Sequence, residues 1–196
     1  AIAPEEVVGQ GRADAPCYLA LYSVEGQSSA ENAGFLLYQL ATILSKNGIG
    51  SVPRSGSRPK TPLEDAKNMN LVMVLSAGLP AEELYRNPLE DIKRKPLDGI
   101  CSNEDPTARQ IVEYGRIAPS AGNCQPWYFA GDGGRIDMYT QLAGDAFNTS
   151  NTELKALDAG MACYGLYVAA KEMGRFAGFA IAEEEAAPPP KGYVYS

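Results

Sequence analysis

The hydrophobic positions of the chain fall into short runs separated by stretches rich in Gly, Pro and Ser, the pattern of a protein that mixes helices with strands. Residues 16–24, PCYLALYSV, form a short β-rich run, and the first 14 residues carry no clear element. Residues 31–47, ENAGFLLYQLATILSKN, read as a helix that is apolar nearly all round. Such a helix belongs in the centre of a fold, and Gly48 stands where a helix C-terminus is expected. Residues 48–62 read as a loop, and residues 70–79, NLVMVLSAGL, have the continuous apolar character of an interior strand. Within residues 90–97, Lys93, Arg94 and Lys95 stand together.

The second half has a similar grammar. Asp105 and Pro106 make a good N-cap and first-turn pair for a helix reaching about Arg116, with Ala108, Ile111, Val112 and Gly115 along one side. Residues 126–131 and 135–140 flank Asp132-Gly133-Gly134 as a hairpin. Residues 157–173, LDAGMACYGLYVAAKEM, form a second helix, rich in small residues and followed by Gly174. The acidic run 183–185 and the prolines 188–190 read as a solvated connection, and residues 192–196 as a final strand.

The two long helices share a pattern at an offset of 126 positions: Ala33-Gly34 with Ala159-Gly160, Tyr38 with Tyr164, Leu40 with Leu166, Gly48 with Gly174. Read as a repeat, it predicts two half-like units, residues 1–100 and 101–196, together one compact domain. It also puts the counterpart of residues 118–127 almost wholly upstream of residue 1, so the first half reads as truncated on its N-terminal side.

Composition narrows the chemistry. With 24 acidic against 17 basic residues, the net charge of −7 argues against a general nucleic-acid or membrane-surface binder. No apolar run approaches the roughly 18 residues of a spanning helix. The chain has no histidine, which excludes Ser-His-Asp and Cys-His machinery and the usual zinc sites. Cys17, Cys101, Cys124 and Cys163 form no Cys-x-x-Cys pair and read as free thiols of a reducing compartment. An enzyme built this way needs a cofactor to carry its reaction.

The most informative stretch is residues 116–129, RIAPSAGNCQPWYF: a helix ending before Pro119, a turn of small residues, then a strand begun at Pro126. Such a turn leaves backbone N–H groups free, and Ser120, Asn123 and Gln125 add side-chain partners for the polar edge of a ring or a sugar-phosphate chain. A plain helix-to-strand connector with capping residues has the same features. Trp127 reads as a packing residue at the strand start, Cys124 as a small filler, and Asp158 as a helix-start residue. Gly9-Gln10-Gly11 lacks the further glycine and preceding strand of a phosphate loop.

This stretch resembles the R-x-A-P-S-x-x-N-x-Q-P-W signature of the nitroreductase family, FMN-dependent oxidoreductases. GIGSVPRSG (48–56) resembles the family's loop that lies along the isoalloxazine, and IKRKPLDGI (92–100) its basic segment that reaches the FMN phosphate. The order of segments, with loop and basic segment before the signature, resembles the tandem subgroup in which one chain mimics the usual homodimer. The resemblance implies an α+β fold, an antiparallel-dominated sheet flanked by helices, and an internal pseudo-dimer able to work as a monomer. It also implies flavin contacts from Pro119, Ser120 and Asn123, and from Pro53, Arg54, Ser55 and Gly56 along the ring, with a backbone N–H near Ser55 donating to N5. Arg94 and Lys95 would pair with the phosphate; a solvated basic cluster is the other reading of these two. The family's opening Arg-x-Ser-x-Arg segment has no counterpart here. Either a portion of the chain precedes residue 1, or this member has lost part of its phosphate grip.

The implied activity is reduction of a nitroaromatic, quinone or similar small-molecule acceptor by NAD(P)H through FMN, in the cytoplasm. No side chain acts as a catalytic group in that scheme, because the flavin carries the chemistry, and neither a metal, a nucleic acid nor a membrane is expected to take part. A non-catalytic ligand-binding or structural protein on the same scaffold is the alternative, and other flavin chemistry a third reading.

Overall fold

The structure, a computed structural model, describes residues 1–9, 14–26, 28–61, 63, 66, 68–84, 92–141, 152–181 and 190–195. By their contacts the residues group into two units, one of Ala1–Ser29 with Leu37–Asp91, the other of Ala30–Leu36 with Ile92–Ser196. Gln10 and Gly11, the acidic run 183–185 and the prolines 188 and 189 lie outside the described residues.

In the first unit, strands β1 (Val7–Gly9), β2 (Cys17–Ser23), β3 (Gly50–Arg54), β4 (Ser57–Pro59) and β5 (Asn70–Gly78) form two antiparallel sheets, of order β2-β5-β3 and β1-β4. β5 is the interior strand that its composition predicts. Met73 through Ala77 are all buried, and it pairs on both sides. Ile2, Val7, Tyr18 and Val74 make the core, with Ala15, Ala20 and Leu71 against them.

Two expectations change here. Within residues 48–62, expected to be a loop, Gly50–Arg54 and Ser57–Pro59 are strands: β3 pairs with β5 from Gly50↔Gly78 to Arg54↔Val74, and β4 with β1. β3 is an edge of its sheet, the position that tolerates Pro53, which has no N–H to give to a ladder. Residues 1–14 are not featureless either, since a 3-10 turn at Pro4–Glu6 leads into β1. Neither strand is strong alone; each is held by a partner distant in sequence.

The helix α1 (Ser29–Lys46) forms where its pattern puts it, with residues 30–36 grouped in the second unit and the rest in the first. It is not apolar-buried all round: Ala33, Gly34 and Leu37 are buried, while Leu36 and Ile43 are each 51% exposed. The buried central role falls to α3 (Thr152–Glu172), which begins earlier than residue 157 and buries most positions from Lys155 to Ala170. Both helices end in the same way, on glycines at φ 74° (Gly48) and 63° (Gly174). Gly48 and Ile49 donate to Ser45 and Leu44, and Gly174 and Arg175 to Lys171 and Ala170.

The second unit sets α2 (Pro106–Arg116) against α3, and beside them the antiparallel sheet β6 (Trp127–Ala130), β7 (Asp137–Gln141), β8 (Tyr193–Tyr195). α2 follows its sequence closely. The Asp105 carboxylate caps the Ala108 N–H at 2.8 Å, and Ala108, Ile111, Val112 and Gly115 are the buried face. The expected hairpin joins β6 to β7, and Trp127 is wholly buried at the start of β6. Residues 30–36 of α1 cross α3 with backbone against backbone. A Cβ added at Gly34 would overlap the Leu157 carbonyl, and one added at Gly160 the Glu31 carbonyl. The contact is reciprocal, each glycine meeting the carbonyl of the residue three positions before the other.

Gly160→Ala is expected to lose about 3 kcal/mol or more, because the clash is with main chain that cannot swing away. Gly174→Ala, at a positive φ but facing open space, should lose only about 1 kcal/mol. Urea denaturation of the two variants beside the parent checks both values.

Candidate functional site

Beyond Arg116 the chain leaves α2 through Ile117 and Ala118, extends at Ser120 (φ −149°, ψ 154°), and makes a 3-10 turn at Ala121–Asn123. Gly122, Asn123 and Gln125 lie at φ 58°, 57° and 49°. Left-handed backbone at a glycine costs little. At Asn123 and Gln125 it costs on the order of 1 kcal/mol each and persists only where surrounding bonds impose it.

Those bonds come from the basic segment. The Arg94 guanidinium donates to the carbonyls of Lys93 (2.9 Å), Ile117 (3.0 Å) and Ala118 (3.2 Å) and to Asn123 Oδ1 (2.9 Å). It thereby covers carbonyls just past the C-terminus of α2, where a cation is favoured. Asn123 Nδ2 returns a bond to the Lys93 carbonyl at 3.1 Å. The Lys95 N–H donates to Gln125 Oε1 at 2.7 Å and its ammonium to the Gln125 carbonyl at 3.0 Å. Arg116, ion-paired with Glu113, donates to the Lys95 carbonyl at 3.0 Å. Inside the turn, Ser120 Oγ accepts the Gln125 N–H at 3.0 Å, and Gln125 Nε2 donates to the Asn123 carbonyl at 3.1 Å.

Beneath the turn lies Asp158, 1% exposed. Its two oxygens accept the Ala121 N–H at 3.1 and 3.0 Å, and the Cys124 thiol donates to Oδ2 at 3.5 Å. Burial pushes this carboxyl up to about 7, against the lowering effect of those two donors. Burial first, then the neighbouring Asp158, pushes the Cys124 thiol up to about 11, so it stays protonated at neutral pH.

The sequence-derived residues therefore divide. Arg94, Lys95, Pro119, Ser120 and Asn123 come together in the second unit, with four cationic residues (Lys93, Arg94, Lys95, Arg116) at the turn of a chain whose net charge is −7. Arg94 and Lys95 direct their heads at main-chain carbonyls. Among the described residues, the N–H groups of Ser120 and Gly122 have no partner, and Gly122 is exposed. Pro53, Arg54, Ser55 and Gly56 are in the first unit. The first two are in β3, with Arg54 Nε donating to Ser76 Oγ at 3.1 Å, and the other two are the exposed turn before β4.

Two residues outside the expected contacts belong to the site. Gln125 joins Lys95 to Asn123 through its side chain. Asp158 is not the helix-start residue its sequence predicts: it is the seventh residue of α3 and is buried. The signal available was a lone acid inside the small, apolar run LDAGMACYGLYVAA. A separate cavity of about 480 Å³ lies at the other end of α2, lined by Thr107, Ile111, Leu166, Tyr167, Arg175 and Phe179 among others. It contains none of the turn. Among the described residues no cluster of acidic or thiol groups could hold a metal ion, and no helix is long and apolar enough to cross a membrane.

Comparison with known proteins gives a consistent picture. The sequence profile of the family described as "Putative TM nitroreductase" matches residues 4–170. No curated protein matches. The crystal structure of a putative nitroreductase from Thermotoga maritima superposes with a TM-score of 0.59 at 22% identity, covering 85% of this chain. The chain spans 66% of that structure's length. The likeness extends to the fold, a mixture of helices and antiparallel sheet.

The elevated Asp158 pKa gives a measurable linkage. The folded protein favours the protonated acid, so this group's contribution to stability is present below its ordinary range near 4 and is lost as pH rises toward 7. Asp158→Asn, neutral throughout, should gain on the parent by about 2–3 kcal/mol between pH 5 and pH 8. Urea denaturation at the two pH values measures that difference.

Proposed function

This chain belongs to the nitroreductase family, and from that premise we propose that it is an FMN-dependent oxidoreductase that uses NAD(P)H to reduce a nitroaromatic, quinone or similar acceptor. The observation that carries the reading is the signature turn itself. It is wired into a strained shape in which two backbone donors, at Ser120 and Gly122, have no partner among the described residues, and four cationic residues stand at it on an acidic chain. A turn that served only to connect α2 to β6 would have no need of two non-glycine residues held at positive φ.

These features fit a flavin mononucleotide: free N–H donors suit its oxygen acceptors, and positive charge suits its phosphate. Bound FMN supplies the hydride-accepting ring that a chain without histidine lacks. Ser120 and Gly122 would donate their N–H groups to it, and Pro119 would give it an apolar face. Asn123 keeps the turn in register through Arg94 and Lys93. Arg94 and Lys95 add positive potential while their heads hold the carbonyls of Ile117, Ala118 and Gln125.

That engagement of Arg94 and Lys95 favours a second reading, a protein of this fold that binds its ligand without turning it over. The test is an FMN titration followed by anaerobic addition of NADH or NADPH and then of a quinone or nitroaromatic. A flavin band that co-elutes with the protein, bleaches with the nucleotide and returns with the acceptor is the expected result. Retention without bleaching favours the binding protein, and no retention sinks the flavin reading. Asn123→Ala, which cuts the link to Arg94, should weaken FMN by on the order of tenfold, about 1.4 kcal/mol.

A further inference from the structure

We propose that Asp158 is the positioning residue of the flavin-contacting turn: its ionised carboxylate, by holding the Ala121 N–H on both oxygens, fixes the shape in which Ser120 and Gly122 are offered to the flavin. This rests on the flavin reading and adds to it a proton-dependent control. Three observations lead there. Asp158 is on α3, an element rigidly packed by the Gly160 crossing, while the turn it holds lies 37 residues earlier, so the bond ties two separate pieces of chain. The carboxylate is completely enclosed, so it is not a solubilising surface charge. Its contact falls on Ala121, between the two residues whose N–H groups have no partner among the described residues.

Protonation changes what the group can do. The anion offers both oxygens as strong acceptors, whereas the acid turns one into a donor, and a charge-assisted bond is roughly twice as strong as a neutral one. Burial brings the change of state to about pH 7. Among the described residues, the charged and titratable groups on the packed elements include Cys124 in the turn, Lys93, Arg94 and Lys95 of the basic segment on its outer side, and Lys155 one helical turn earlier on α3. Beyond them lie Glu31 on α1, Glu113 with Arg116 on α2, and Asp137 with Arg135 at β7. Of all these, Asp158 alone accepts from the turn's main chain. The ionised state organises the turn, and flavin binding should therefore release a proton below pH 7.

The experiment is a fluorescence titration of the full chain with FMN from pH 5.5 to 8.5, on the parent and on Asp158→Asn. The phosphate of FMN itself ionises near pH 6, equally for both proteins, so the difference between them isolates Asp158. The parent should bind roughly tenfold more weakly at pH 6 than at pH 8 beyond any change in Asp158→Asn. Riboflavin, which has no phosphate, should show the same tenfold on the parent alone, a measurement that stands even if the variant fails to fold. Equal pH profiles in parent and variant, a flat riboflavin profile, or tighter binding at low pH each overturn the assignment while leaving flavin binding intact. Absence of binding by either protein at every pH overturns the flavin reading and this assignment with it.

Discussion

A backbone held in the left-handed region at two non-glycine residues cannot hold itself. Asn123 and Gln125 take that conformation because three groups outside the turn fix it: Arg94 from one side, Lys95 through Gln125 from the same segment, and Asp158 from below. The other features of the second unit serve this arrangement. α2 has to end where Arg94 can cover its carbonyls, and α3 has to run close enough for a short aspartate side chain to reach Ala121. On another side the small residues of α3 let it run against α1, since a larger residue at Gly160 would push that crossing apart.

The arrangement also accounts for how a basic cluster can matter on an acidic protein without presenting its charges as open hooks. A guanidinium that donates to carbonyls keeps its full positive charge, and its field still reaches an anion placed beyond it. What is lost is bidentate geometry, and with it some selectivity for phosphate over other anions. In the proposed flavin reading, the backbone N–H groups of Ser120 and Gly122 make the directional contacts. Such donors need no ionisation, and Asp158, the buried acid that titrates near neutrality, is hidden beneath the turn.

Much of this was legible in the residues. The cap at Asp105, the buried stripe of α2, the interior character of β5 and the β6–β7 hairpin all depend on neighbours in sequence, and each formed as its pattern directs. β1 and β3 were not legible, because they exist through pairing with Ser57–Pro59 and with Asn70–Gly78, partners that no local pattern announces. The signature turn was visible as a motif, yet its wiring was not. Which carbonyls Arg94 would meet depends on where α2 stops relative to the segment before it. The place of Asp158 was hidden for a related reason: an acid near the predicted start of a helix is ordinarily a cap, and only the true start at Thr152 puts it inside.

The reciprocal contact of Gly34 and Gly160 bears on how this chain can change over time. Each glycine faces the main chain of the other's helix, at Leu157 and at Glu31, so the two positions answer to a single gap. Once either acquires a side chain and the helices have moved apart, the other is relieved of much of its own restriction. Substitutions at the two sites are thus strongly epistatic, the second milder than the first. A lineage that lost one of these glycines and survived would be free to drift at the other, and the pair would be kept or abandoned together.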